Sequence, residues 1–315
     1  MRRVVLLALA GRLVSAPPLR AADSGPALTI LEPYGEGSVT DRVIGVLQPG
    51  LEGAGRTVTV DHAGPGALNR VAAAAPDGNT VVVLGLLPAE LAEIRSNPGV
   101  KVSSLTPIAK LTGPGSVALV VPDSSPIKSW ADFAAAARAK SLKIASPGRD
   151  TAAGIPIAMM ERALGAHFTD VIAQERSEVL AALKAGKADA AFLVTLTIVA
   201  TPRLLAPPVR PIVVFGAQRN PGLKEIPTFR ESIGPQPPER RHNSITSAVG
   251  LFGPPGMTSE TAARVAAEFA AAAAKAKESG AIASSHMPIE IADAALLRET
   301  MARDHRVIKE LANLH

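Results

Sequence analysis

From Leu28 onward, short runs of β-branched and aliphatic residues alternate with alanine-rich stretches of helical period. This alternation places the chain in the α/β class, in which helices cover the faces of sheets whose strands pair in parallel through right-handed crossovers. The pattern predicts strands over 27–31, 56–61 and 80–85, and helices over 40–53 and 68–75, the second stopped by Pro76-Asp77-Gly78. A strand over 116–121 follows, and Pro122-Asp123-Ser124-Ser125-Pro126 behind it is a turn cluster suited to a crossing between two units. The second unit opens with a helix over 129–139, N-capped by Ser129 with Asp132 at N3. Strands over 142–145, 171–172, 188–192 and 210–215 then alternate with helices over 152–164 and 178–185. The stretch 234–243 is the most loop-like, and 247–252 reads as a strand returning to the first unit. Helices over 258–279 and 292–314 complete the chain. The expected organisation is a removable leader over 1–22, lobe one from 24–121 plus 247–315, and lobe two from 122–246.

A length of 315 residues agrees with two domains at about 150 residues each. The leader is expected because Met1-Arg2-Arg3 supplies a charged start, Val4 to Gly11 a short apolar run, and Pro17 to Ala22 a broken exit of small residues. Its loss removes Arg2, Arg3, Arg12 and Arg20, taking the net charge from +5 to +1. A mature chain so near neutrality has no electrostatic case for nucleic acid. No later segment offers 18 uninterrupted apolar residues, so no membrane span is expected. The absence of cysteine excludes disulfides, thiol nucleophiles and Cys-ligated metals. Aromatic residues make up 3% of the chain, too few for stacking sugars or bases.

Catalytic signatures are absent. The six histidines show no HExxH or other metal-ligand spacing, and no Gly-x-Ser-x-Gly elbow occurs, so neither metal nor cofactor is called for. Glu175 with Glu178, and Glu290 with Asp293, read as solvated helix faces. Two loops stand out instead. Glu32 to Asp41, with Tyr34, Gly35, Glu36, Gly37, Ser38, Thr40 and Asp41, joins a strand to a helix N-terminus, where backbone N–H groups and the helix dipole favour an anion. It reads equally as an ordinary capped βα loop. The second loop, Ala145 to Ala152, has the same position in the second unit, and its Ser146, Gly148, Arg149, Asp150 and Thr151 offer donors for a carboxylate.

The run Pro33-Tyr34-Gly35-Glu36-Gly37-Ser38-Val39-Thr40-Asp41 resembles the Pro-Phe-Pro-x-Gly-Gly-x-Thr-Asp signature of the solute-binding receptors of tripartite tricarboxylate transporters, the Bug family. Ala74-Ala75-Pro76-Asp77-Gly78-Asn79-Thr80, Leu105-Thr106-Pro107-Ile108, Ala145-Ser146-Pro147-Gly148, Lys184-Ala185-Gly186-Lys187-Ala188-Asp189, Ile226-Pro227-Thr228-Phe229 and Gly250 to Gly256 follow in the family's order. The resemblance implies a two-lobe type II periplasmic binding protein fold with a ligand cleft between the lobes. It further implies a monomer in the periplasm that captures a small carboxylate for a membrane permease. By the same resemblance the two loops hold the ligand, with Glu175 and Arg176 at the family's Tyr-Lys-Gly-Ser loop and Leu193 at its polar position.

Several residues depart from the family pattern. Gly37-Ser38-Val39 replaces a triple glycine, so Val39 is expected to be strained at a left-handed position. Glu36 and Glu175 bring acids beside an anion site and call for matching by Arg149 or Arg176. Arg149 is expected to touch the ligand carboxylate; the alternative is that it pairs with Asp150 or Glu175. Two other functions stay open: a periplasmic sensor that no longer feeds a permease, and an enzyme using Glu36 with Arg149 or Glu175 with His62.

Overall fold

The computed structural model describes residues 25–96, 99–113, 115–149, 151–200, 205–216, 218–235, 248–285 and 287–312. The expected leader over 1–22, Asp150 and the segment 236–247 lie outside them. Along the chain run β1 (Gly25–Leu31), α1 (Val39–Glu52), β2 (Arg56–Asp61), α2 (Ala67–Ala72), β3 (Thr80–Gly85), α3 (Leu86–Ser96), β4 (Thr106–Thr112) and β5 (Val117–Pro122). Next come α4 (Trp130–Ala139), β6 (Lys143–Ser146), α5 (Gly154–Leu164), β7 (Thr169–Ile172), α6 (Arg176–Lys184), β8 (Ala190–Val194), α7 (Thr195–Ala200) and β9 (Val209–Phe215). The last are α8 (Phe229–Ile233), β10 (Val249–Gly253), α9 (Ser259–Glu278), α10 (Ala281–Ser285), β11 (Ile289–Asp293) and α11 (Ala294–Ala312).

The strands form two sheets, one of six strands in the order β11-β4-β10-β3-β1-β2 and one of five in the order β7-β6-β8-β5-β9. Both are mixed, which corrects the wholly parallel pairing that the alternation predicts. β1 pairs in parallel with β2 and β3, whereas β10 runs antiparallel to β3 and β4, because it returns from the other sheet in the opposite direction. In the second sheet β6 is parallel to β7 and β8, but β5 enters straight from β4 with no helix between and pairs antiparallel with β8 and β9. The chain therefore crosses between sheets ahead of Val117, earlier than the turn at Val121-Pro122.

Each sheet has its own core. Leu28 and Ile30 of β1 pack with Val43, Ile44 and Leu47 of α1 and with Val265 and Phe269 of α9. Each such side chain fully buried contributes roughly 1.5–3 kcal/mol. The backbones of α1 and α9 approach so closely that a Cβ on Gly50 would lie 2.7 Å from Ala272 Cα. Most of the aromatic residues gather in the second core, where Phe229 meets Trp130 edge-on at 5.2 Å and stacks on Phe215 at 4.8 Å. Leu87 and Leu91 of α3 and Val307 and Ile308 of α11 also enter that second core. These two helices therefore tie the sheets together.

Candidate ligand-binding site

The first loop is organised by Glu32, which lies one residue beyond β1 and keeps the pairing by donating its N–H to the Asp61 carbonyl at 2.9 Å. It continues the alternation of Leu28 and Ile30 and is fully buried. Glu32 Oε2 accepts the N–H groups of Tyr34 (2.9 Å) and Gly35 (2.6 Å), while Oε1 accepts the hydroxyls of Ser38 (2.8 Å) and Thr40. Ser38 also N-caps α1, accepting the Asp41 N–H at 3.0 Å. The turn uses φ of +86° at Gly35 and +78° at Gly37, which only glycine adopts without strain. Val39, expected at a strained position, is instead the first residue of α1. The positive-φ positions are already met by the two glycines.

On the outer side of the loop, Asp41 Oδ2 accepts the Gly37 N–H at 2.8 Å, and Oδ1 lies 2.8 Å from His62 Nε2. Desolvation pushes the Asp41 carboxyl up, but the Gly37 N–H and His62 outweigh it and hold it below the usual carboxylate range. The hydrogen bond that Asp41 accepts in turn raises the His62 imidazole. The exposed Tyr34 donates its hydroxyl to the Gly85 carbonyl at 3.2 Å. Glu36 is exposed.

The second loop curls on itself. Ser146, buried at the end of β6, accepts the Gly148 N–H at 3.1 Å, and Gly148 takes a φ of +116°. Thr151 donates its hydroxyl to the Gly148 carbonyl at 2.7 Å and accepts the Ala153 N–H at 3.2 Å. α5 then starts at Gly154, where a Cβ would sit 1.9 Å from the Arg149 carbonyl oxygen. Only glycine lets the loop close so tightly over the helix start. Gln174 Nε2 donates to the Pro147 carbonyl at 3.3 Å, bringing the exposed Glu175 and Arg176 to the edge of this loop. Glu178 accepts the N–H groups of Gln174 and Glu175 at 2.7 and 3.2 Å, a backbone-capping role rather than a solvated face. Leu193, at the family's polar position, lies within β8 and is buried in the core.

Arg149 is arranged differently from the expected ligand contact. Its Nε donates to Asp170 at 2.8 Å, both terminal nitrogens reach Glu161 at 2.9 Å, and Nη2 also reaches the Phe168 carbonyl at 2.8 Å. Its partners are Glu161 and Asp170 rather than Glu175. Desolvation raises the Glu161 carboxyl, but the Arg149 hydrogen bonds and the Phe168 N–H prevail and lower it. The pair therefore stabilises the fold above the ordinary carboxylate range and loses its contribution as pH falls through the lowered Glu161 value. Arg149→Ala is expected to cost about 2–3 kcal/mol in denaturant unfolding at pH 7 and less at pH 3. Ligand affinity stays within a factor of about two by calorimetry. Full stability with lost affinity would return Arg149 to the site.

Neither pairing that an enzyme would use is formed, since His62 faces Asp41 and Arg149 holds Glu161 and Asp170. Among the described residues no cluster of three His, Asp or Glu side chains could hold a metal ion, and no helix is long and apolar enough to cross a membrane.

Helix α3 links the two loops. Its 11 residues span about 16 Å. Its start lies under Tyr34, which bonds the Gly85 carbonyl, and near its end Arg95 Nη1 donates to the Arg149 carbonyl at 3.0 Å. Both loops follow the carboxyl ends of parallel-paired strands, where open α/β sheets hold their ligands.

Two α/β units, each offering a glycine-containing loop at a helix start and joined by shared helices, define a bilobal α/β protein of the periplasmic binding protein type. Known proteins agree. The model of the TctC family, the tripartite tricarboxylate transporter family receptors, matches residues 48–312, and the chain belongs to that family. It is a family of solute-binding receptors rather than enzymes. A TctC solute-binding protein from Polaromonas, without ligand, has a TM-score of 0.72 at 20% identity over 91% of this chain and 98% of its own. MatC from Rhodopseudomonas palustris with bound malate has a TM-score of 0.66 at 23% identity over 90% and 98%. Rpa4515 of the same species, with adipate, has a TM-score of 0.70 at 19% identity over 91% and 96%. A search of curated proteins finds no match.

Proposed function

We propose that the protein is a periplasmic, monomeric receptor that captures a small organic acid between its two lobes and presents it to a tripartite-transporter permease. The observation that carries this reading is the linkage of the two glycine-containing loops by α3, which supports their standing as two walls of one cleft. The lobes are proposed as 24–121 with 247–315 and as 122–246, with β5 moved from the first to the second, in whose sheet it pairs. The ligand carboxylate is assigned to the second loop, where the Ser146 hydroxyl and the start of α5 offer a donor and a favourable dipole. Tyr34, Gly37 and the Asp41–His62 pair form the opposite wall. Ligand-bound relatives holding malate and adipate favour the same class of solute. Closure of the lobes shifts the population toward the form that docks on the permease.

Thermal-shift screening against aromatic, mono-, di- and tricarboxylic acids tests the reading. At least one acid is expected to raise the melting temperature in a concentration-dependent way, corresponding to about 2.7 kcal/mol at a hundredfold excess over Kd. No stabilising acid across the panel would overturn it.

A further inference from the structure

The first loop has the features of a carboxylate cradle: two successive N–H groups, two hydroxyls and a helix N-terminus converging on one point. We infer that this cradle is already filled by the chain's own Glu32, which makes Glu32 a specificity residue: the captured solute is a monocarboxylate whose opposite end carries no negative charge.

Four hydrogen bonds reach the Glu32 carboxylate, from the Tyr34 and Gly35 N–H groups and from the Ser38 and Thr40 hydroxyls. Its side chain is wholly shielded from solvent. A neutral side chain would leave these donors facing each other; a carboxylate satisfies all of them, and the start of α1 adds a favourable dipole. A solute carboxylate therefore finds these donors spent. It also meets Glu32 behind them, Glu36 at the rim and Asp41 alongside, while His62 is already held by Asp41 at 2.8 Å and Arg70 by Asp61 at 2.6 Å. Like charges brought together in a closing cleft are strongly disfavoured. The assignment of the solute as an acid rests on the function proposed above. The occupation of the cradle rests on the Glu32 contacts alone.

The test uses Glu32→Ala, which empties the cradle but leaves its donors, with acetate as the probe. Acetate is expected to raise the melting temperature of Glu32→Ala above a sodium chloride control of equal ionic strength, and by more than it raises that of the wild type, whose first loop is already filled. In the wild type, the amide proton resonances of Tyr34 and Gly35 stay unmoved on adding acetate. A folded Glu32→Ala protein indifferent to acetate would overturn the inference. So would acetate-dependent shifts of the Tyr34 and Gly35 resonances in the wild type, a measurement that needs no variant. For the solute class, the wild type is expected to bind adipate monoamide at least about tenfold more tightly than adipate, and Glu32→Ala to narrow or reverse that ratio. Equal or tighter binding of adipate by the wild type would overturn it. If the wild type binds no acid of any kind, the organic-acid function fails, while the acetate response of Glu32→Ala still decides the occupation of the cradle.

Discussion

Gly154→Ala is expected to abolish ligand capture and to lower unfolding stability by about 3 kcal/mol. The new Cβ would be placed 1.9 Å from the Arg149 carbonyl oxygen and 2.6 Å from its carbonyl carbon, both backbone atoms that no side-chain rotation can relieve. The second loop would have to unwind from the start of α5. That movement breaks the Thr151 bonds to Gly148 and displaces the Arg149 carbonyl from Arg95, so it disturbs both the binding surface and the link to α3. Denaturant unfolding and calorimetry with the best acid from the panel check the two halves of this expectation. Wild-type affinity in Gly154→Ala would remove the second loop from the site.

Glu90→Gln is expected to stabilise the protein, and increasingly so as pH rises. Glu90, on α3, is buried, neither carboxylate oxygen has a hydrogen-bond partner among the described residues, and it borders a cavity of about 560 Å³ lined by Val102, Leu105, Phe252 and Met301. Burial first, then the neighbouring charges of Asp304 and Glu93, push its carboxyl up to about 9. The folded state thus keeps a proton that the unfolded chain releases near 4.5, and stability falls as pH climbs through that window, by up to about 1.4 kcal/mol per unit. A neutral amide of the same shape removes the slope. At pH 5 the variant should match the wild type, and at pH 8 it should exceed it by roughly 1–3 kcal/mol. An offset that is the same at every pH would show that the carboxyl titrates normally.

β2 and β3 fall on the residues that their β-branched runs mark, and the Ser129 cap, which accepts the Asp132 N–H at 3.2 Å, was legible from local chemistry alone. α3 and β4 were not. α3 follows β3 without a turn and carries Pro88 in its first turn, where proline is tolerated in a helix but reads as a break. β4 contains Pro107 and a buried Lys110, both atypical of a central strand.

The site shows the same division. The two loops are visible as glycine-bearing stretches between a strand and a helix. Glu32, however, stands just ahead of the family signature, and its donors converge only once the loop has turned back over β1. Arg149 lies in the predicted loop, yet the carboxylates that claim it are 12 and 21 residues away. No spacing rule connects them, because they meet only once the chain has turned back from α5 into β7.

The central claim is that two lobes close on a small acid held between these loops. The chain has no cysteine, so spin labels attach only at introduced thiols. Arg42, in the first turn of α1, and Ser177, in the first turn of α6, are exposed and outside the proposed ligand contacts. Pulsed electron–electron resonance on the Arg42→Cys, Ser177→Cys protein measures the distance between the two walls directly. With a stabilising acid the distribution is predicted to shorten and narrow; saturation by that acid with an unchanged distance would contradict capture by closure.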